Sequence, residues 1–396
     1  MKVLLIDVNY KYSSTGKIVH DLYQSLTQDG HEAAVCYGRG PKITEHNVFK
    51  FGLDIETYFH ALMTRITGWT GYFSFFSTKR LLKFIDEFNP DVVHIHELHA
   101  YFVNIKPVIE YLKGKNIKIV LTLHCEFMYT GKCGYANDCE KWKTICFKCP
   151  QLHAYPASWI FDYTRKMYKE KKALFQDYEN LIVVTPSKWL LERVNQSFLQ
   201  KHPNLVVHNG IDTNQVFYPR DTNALKTEYC INDEKIVLAV APDLMNERKG
   251  GAWVLKLADR MKSYRIKFLM VGVDDKELQH GDNVILIGRI SDQNILAQYY
   301  SLADVFLICS KKENFPTTCL EALACGTPVV GFDTGGTKET TPDEYGAFCE
   351  YGDIQALQKN VENFLFKVEK QSLKCREFAM ENYSPSAMYC NYKEKY

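Results

Sequence analysis

Residues 305–332 read VFLICSKKENFPTTCLEALACGTPVVGF. An apolar run, Val305–Ile308, gives way to a polar loop, and a second apolar run, Pro328–Phe332, closes the segment. Between them Pro316 suits a first helical turn and Gly326 a helix exit. Proline lacks the N–H that a helix start leaves unpaired, and glycine tolerates the left-handed backbone that ends a helix. Strand, helix and strand in so short a stretch predict a parallel unit, because parallel strands need a crossover and a helix supplies it.

The same rhythm extends in both directions. Strands are expected at Val3–Val8, Asp91–Ile95, Ile117–Leu123, Leu181–Thr185 and Asn204–His208, then at Ile236–Val240, Lys267–Val271 and Val284–Ile287. A helix over Ile18–Leu26 follows the small, polar stretch Ser13-Ser14-Thr15-Gly16. These are more units than one sheet comfortably holds, and a turn-rich stretch from Asn209 to Asp221 sits mid-chain. The expected fold is α/β, with two Rossmann-like doubly wound domains, 1–218 and 219–379, facing across a cleft. In such sheets ligands bind beyond the carboxyl ends of the strands.

Composition agrees with two soluble domains. The chain has 396 residues, 46% hydrophobic and 24% charged, which excludes a mostly disordered protein. Its 48 Lys+Arg balance 47 Asp+Glu, so no nucleic-acid partner is expected. No apolar run reaches the ~20 residues that cross a bilayer. Asp7 interrupts the first apolar run too early for a signal peptide, and a cytoplasmic protein is the expectation. The 13 cysteines include Cys133-x5-Cys139-x6-Cys146-x2-Cys149 within the loop 125–150. In a reducing compartment this pattern favours free thiols and a structural zinc over disulfides. Reduced, buried thiols without metal are the alternative.

In the opening segment Glu313 falls on the loop and Glu321 on the helix, with seven residues between them. A helix N-terminus offers free N–H groups to an anion, and a carboxylate accepts hydrogen bonds from a pair of hydroxyls. Spacing alone says no more, since a solvated helix carries such acids as well. Arg248-Lys249-Gly250 opens another helix after a strand, where cations could meet phosphate or simply face water. Lys17 lies in no Walker loop, because the first glycine is missing and Ile18 replaces the Ser or Thr. His94, His96, His99 and His124 gather at strand ends, where packing, a metal or a ligand are all open. Between Tyr58 and Ile85, Trp69, Tyr72, Phe73, Phe75 and Phe76 precede Lys79, Arg80 and Lys83. That mix suits either a core with a solvated rim or peripheral contact with an anionic membrane.

Glu313-x7-Glu321, with Phe315-Pro316 after the first glutamate and Gly326-Thr327-Pro328-Val329-Val330 beyond the second, resembles the donor-site motif of the retaining glycosyltransferases of family 4. Further matches follow in the family's order: Asp91 to His96, Asn209-Gly210-Ile211-Asp212, and Asp333-Thr334-Gly335-Gly336-Thr337-Lys338-Glu339. The resemblance implies a GT-B fold and transfer of a sugar from a UDP- or GDP-linked donor to a glycan or lipid-linked acceptor, with retention. It implies that Glu321 holds a ribose and that Glu313 lies near the transferred sugar. Asn314, Phe315, Pro316 and Thr317 would line the sugar and phosphate pocket, and Gly335 and Gly336 would let backbone approach the donor. Lys249 matches the phosphate-binding lysine, and Arg248 stands in for an arginine that the family often has upstream. Gly16 would admit the diphosphate, and His124 would face the sugar, although Cys125-Glu126 follows it where relatives often have Asp. No catalytic metal is expected. The cysteine loop resembles one in an exopolysaccharide or colanic-acid-type bacterial subgroup, with work at the inner face of the cytoplasmic membrane. Residues 380–396 resemble a terminal helix that crosses back to the first domain.

Overall fold

The computed structural model describes residues 1–275, 277–367 and 371–396. Packing divides the chain into two units, one of residues 1–208 with 389–396 and one of residues 209–388. The ten residues 209–218 thus pack with the second unit, because Ile211 and Phe217 belong to its core.

Unit 1 holds seven parallel strands: β1 (Lys2–Asp7), β2 (Glu32–Tyr37), β3 (Val48–Lys50), β4 (Val92–Ile95), β5 (Lys118–Thr122), β6 (Leu181–Thr185) and β7 (Asn204–Val206). Their order is β3-β2-β1-β4-β5-β6-β7. Helices α1 (Ser13–Gln28), α2 (Asp54–Thr67), α3 (Phe75–Phe88), α4 (Ile105–Gly114), α5 (Thr164–Phe175) and α6 (Lys188–Val194) cover the sheet and its loops. β1 and β4 are buried on both faces, which is why they read as unbroken apolar runs rather than alternating ones.

Unit 2 repeats the plan. α7 (Asn223–Glu228) leads into β8 (Lys235–Val240), α8 (Gly251–Arg260), β9 (Ile266–Val271), β10 (Val284–Ile287), α9 (Gln293–Leu302), β11 (Val305–Ile308), α10 (Thr317–Ala324), β12 (Val329–Phe332), β13 (Gly346–Cys349), α11 (Ile354–Phe366) and α12 (Ser372–Tyr383); α13 (Pro385–Lys393) begins in unit 2 and ends in unit 1. The strand order is β10-β9-β8-β11-β12-β13, again all parallel. Successive strand side chains point to opposite faces, so one strand feeds two cores. Ile236 and Leu238 join Phe306 and Leu269 on one face, while Val237 and Ala239 join Val305 and Phe268 on the other. Each such buried Val, Ile or Leu contributes roughly 1.5–3 kcal/mol over its exposed state.

Both orders reverse direction in the middle of the sheet, between β1 and β4 and between β8 and β11. At such a switch point the loops leaving neighbouring strands diverge and leave room for a ligand. The crossover rhythm also explains three strands that the apolar pattern does not announce. β2 is Glu-Ala-Ala-Val-Cys-Tyr, β3 has three residues, and β13 is Gly-Ala-Phe-Cys.

Candidate functional site

The unit 2 switch point is stitched from three loops. The loop after β8 carries Arg248, Lys249 and Gly250; that after β11 carries Glu313 to Pro316; that after β12 carries Thr334 to Gly336. Lys311 N–H donates to the Arg248 carbonyl at 2.8 Å, and Gly336 N–H donates to the Glu313 carbonyl at 3.1 Å. The Thr334 hydroxyl donates to the Ser310 carbonyl at 2.8 Å. Two glycines make this closeness possible. A Cβ on Gly335 would fall on the Glu313 carbonyl oxygen, and one on Gly250 on that of Cys309; both have positive φ, 66° and 79°.

The side chains converge on one carboxylate. Lys249 Nζ lies 2.6 Å from Glu313 Oε1, and Arg248 Nη1 lies 3.1 Å from the same oxygen. Arg248 also donates to the Lys312 carbonyl at 3.1 Å. Two cations against one buried carboxylate leave this corner with net positive charge, on loops fixed by backbone bonds. Lys249 keeps 23% of its side-chain surface and Arg248 37%, so both can be reached by an anion. Arg248 thus comes to the same place as Lys249.

α10 begins at Thr317, with Pro316 as the residue before its first turn, and its free N–H groups belong to the same loop. Phe315 and Asn314 are buried under it. Glu321, one turn in, accepts from the Tyr300 hydroxyl at 2.9 Å, and that bond fixes one carboxylate oxygen. Among the expected donor residues, the structure therefore brings Arg248, Lys249, Glu313, Gly335 and Gly336 into direct or backbone contact. Asn314, Phe315, Pro316, Thr317 and Glu321 follow on the adjoining loop and helix.

The unit 1 switch point has a different character. Asp7 ends β1, wholly buried, and its Oδ2 accepts from Thr15 Oγ1 at 3.0 Å. Its Oδ1 has no hydrogen-bond partner. Burial first, and then the nearby Glu97 charge, push its carboxyl up to about 8. His96 Nδ1 and His124 Nε2 lie 3.1 Å apart, and His94 sits between Thr122 (2.8 Å) and Tyr396 (2.9 Å). Burial drives His94 and His96 well below the ordinary histidine value and His124 down to about 4, so all three are neutral near pH 7.

Beside them His99 Nδ1 meets Glu97 Oε1 at 2.6 Å, and the Cys125 thiol donates to the same carboxylate at 3.7 Å. Burial pushes the Glu97 carboxyl up, but His99, His124 and the Cys125 thiol together make the net shift downward. Glu97, His99 and Cys125 bring three donor atoms within 4.8 Å of one another, the one such grouping among the described residues. Gly16 lies inside α1, its missing Cβ spaced 3.1 Å from the Asn9 backbone, so close packing accounts for this glycine. Asp7, Glu97 and Cys125 were not singled out from sequence. An acid placed directly at the end of an apolar strand is the signal that points to Asp7.

The loop cysteines line a single cavity of about 20 Å³, together with Gly131, Lys132, Trp142 and Thr164. Elsewhere on unit 1, Ile55, Tyr58, Phe59 and Leu62 of α2 and Phe75 and Phe76 of α3 are exposed, so this part of the aromatic stretch is surface rather than core. No helix among the described residues is long and apolar enough to cross a membrane.

Comparison with known proteins fits both units. A model of glycosyl transferases group 1 matches residues 221–381, and one of Glycosyltransferase Family 4 matches residues 15–215. The chain is 26% identical over 387 residues to Escherichia coli WcaC, which its name assigns to colanic acid biosynthesis as a glycosyl transferase; the match covers 90% of this chain and 89% of that one. Among solved structures, sucrose-phosphate synthase from Thermosynechococcus elongatus aligns over 100% of this chain and 98% of its own, with a TM-score of 0.68 and 18% identity. Anabaena HepE in complex with UDP and glucose aligns over 100% and 99%, with a TM-score of 0.66 and 14% identity. With its paired Rossmann-like sheets of the GT-B type and a family match across half its length, the chain belongs to Glycosyltransferase Family 4 and is a glycosyltransferase.

Proposed function

We propose that the chain transfers a hexose, with retention, from a UDP- or GDP-linked donor to a hydroxyl of a growing bacterial surface glycan. The observation that carries this reading is the Lys249–Glu313–Arg248 cluster at the unit 2 switch point, beside the start of α10. In the reaction the bond from the sugar's anomeric carbon to the diphosphate oxygen breaks. A bond from the acceptor oxygen to that carbon forms on the same face, and the acceptor's proton passes to the departing phosphate. Negative charge grows on the diphosphate as it leaves, and fixed cations placed there lower the barrier. Lys249 and Arg248 supply that charge, and the α10 N–H groups add to it. Glu321 holds the ribose hydroxyls, with its other oxygen fixed by Tyr300. Glu313 positions the sugar and keeps the two cations in place. In unit 1, His124, kept neutral by burial, offers a hydrogen-bonding group suited to a hydroxyl. This chemistry requires no metal.

Thermal-shift measurements with UDP, GDP and their sugar conjugates test the donor. Binding to the folded state alone raises the melting temperature as the ligand concentration passes its dissociation constant. One nucleotide family should stabilise the protein, and the anomeric configuration of the product, read by NMR, should match that of the donor. A well-folded sample indifferent to every nucleotide sugar would sink the reading.

The exposed face of α2 and α3 supports peripheral contact with an anionic membrane, as a lipid-linked acceptor at the inner face of the cytoplasmic membrane would require. Its apolar residues are accompanied by exposed Lys79 and Lys83. Ile55→Ser with Tyr58→Ser should weaken sedimentation with phosphatidylglycerol vesicles and leave the melting temperature in place. Equal binding by the variant would remove this part of the proposal.

A further inference from the structure

We infer that Cys133, Cys139, Cys146 and Cys149 of unit 1 form a structural zinc site. The four thiols line one cavity of about 20 Å³, room for little more than one water-sized sphere. That is the scale of an ion rather than of an organic ligand. Cys133 and Cys149 already interact through a thiol–sulfur hydrogen bond, and Cys146 lies in electrostatic range of Cys139 and Cys149.

Two further observations concern the surroundings of the sulfurs. Backbone N–H groups are aimed at the sulfurs: Gly131 N–H donates to Cys146 Sγ at 3.2 Å, and Gln151 N–H donates to Cys149, two residues before it. Such outer bonds orient metal ligands and stabilise their charge. The surroundings also hold two buried lysines. Lys132 and Lys171 are 1% and 4% exposed, donate to backbone carbonyls, and lie in electrostatic range of the loop cysteines.

All thirteen cysteines are free, so no disulfide competes for these sulfurs. Metal binding would draw the four sulfurs to the tetrahedral arrangement that zinc prefers, at about 2.3 Å from the ion. The site would tie together a loop from Gly131 to Pro150 that has little regular structure, with one short 3-10 turn at Lys141–Lys143. A metal then replaces the core that such a loop cannot build.

Elemental analysis of the full chain, purified with reductant and without chelator, tests this. About one zinc per chain is expected, lost in Cys146→Ser and Cys149→Ser and kept in Cys230→Ser, which alters an exposed cysteine outside the loop. Replacement by cobalt should give the intense sulfur-to-metal absorption of a tetrahedral thiolate site. Cys149→His, which retains a zinc ligand, should keep the metal. Metal-free wild-type protein would overturn the inference. So would zinc that survives both loop substitutions but disappears in Cys125→Ala, because it would then belong to the Glu97–His99–Cys125 group.

Discussion

The two switch points share one topology and use opposite electrostatics. In unit 2 the strand ends present a lysine and an arginine on one carboxylate, partly open to solvent. In unit 1 the corresponding strand ends carry an unpaired aspartate oxygen and histidines kept neutral by burial. A fixed cation answers a charged ligand such as a diphosphate, whereas neutral donors and acceptors suit hydroxyls, which need direction more than charge. The fold thus offers the same ledge twice, with different side-chain chemistry on each.

The sharpest way to break this contrast is to remove one group from each side. Lys249→Ala should lower turnover by about 100- to 1,000-fold, the usual cost of losing one charge-stabilising donor at a reacting centre. His124→Ala should lower it by about tenfold, because a neutral hydrogen bond is worth only ~0.5–1.5 kcal/mol. Lys262→Ala, an exposed surface change in unit 2, should leave the rate unaltered. Steady-state kinetics with a stabilising nucleotide sugar would settle the order. A larger loss at His124 than at Lys249 would invert the division of labour.

A second comparison concerns backbone. Gly335→Ala forces a left-handed residue against the Glu313 carbonyl and should destabilise the protein by about 1–3 kcal/mol. Gly114→Ala, at the end of α4 with nothing within 4 Å, should be neutral or gain up to about 1 kcal/mol. Urea unfolding of the two variants measures both. Equal stabilities would mean that the unit 2 loops are not held as tightly as their contacts indicate.

The pH dependence separates two groups within unit 1. Unfolded histidines take up protons near pH 6.5, while His124 resists protonation down to about 4 and His94 and His96 lie well below their ordinary value. As pH falls below 6.5 the unfolded chain therefore binds more protons, and stability declines. Asp7 acts the other way. Its folded carboxyl keeps a proton up to about 8, whereas the unfolded one releases it near 3.8, so its contribution is lost as pH rises through that range. Asp7→Asn should remove the fall in stability between about pH 6.5 and 8 and leave the acid-side decline in place. An unchanged slope on the rising side would show that Asp7 ionises freely in the folded protein.

The sequence made most of the scaffold legible, because strands buried on both faces leave continuous apolar runs. Val284–Ile287 and Val305–Ile308 coincide with β10 and β11 residue for residue. β2 was illegible for the same physical reason in reverse: its alanines and cysteine fill a crowded interior without announcing strand preference. The unit 2 site was readable because Glu313, Lys249 and Gly335 sit in motifs tied to loops. Their convergence on a single carboxylate oxygen depended on strand order, which no local pattern contains. Unit 1 hid more. Glu97 looks like an ordinary surface acid in sequence, Asp7 shows only its place at a strand end, and burial gives both their character.

The tail at residues 389–396 gives unit 1 an unusual history. Tyr392 and Tyr396 seal the far side of the histidine group, bonding Thr122 at 2.8 Å and His94 at 2.9 Å, and Tyr389 bonds Asp29 at 2.6 Å. During translation these residues emerge only after all of unit 2 has been made, so the nascent first sheet must wait with that layer exposed. A fragment halted at residue 208 would expose the same layer permanently.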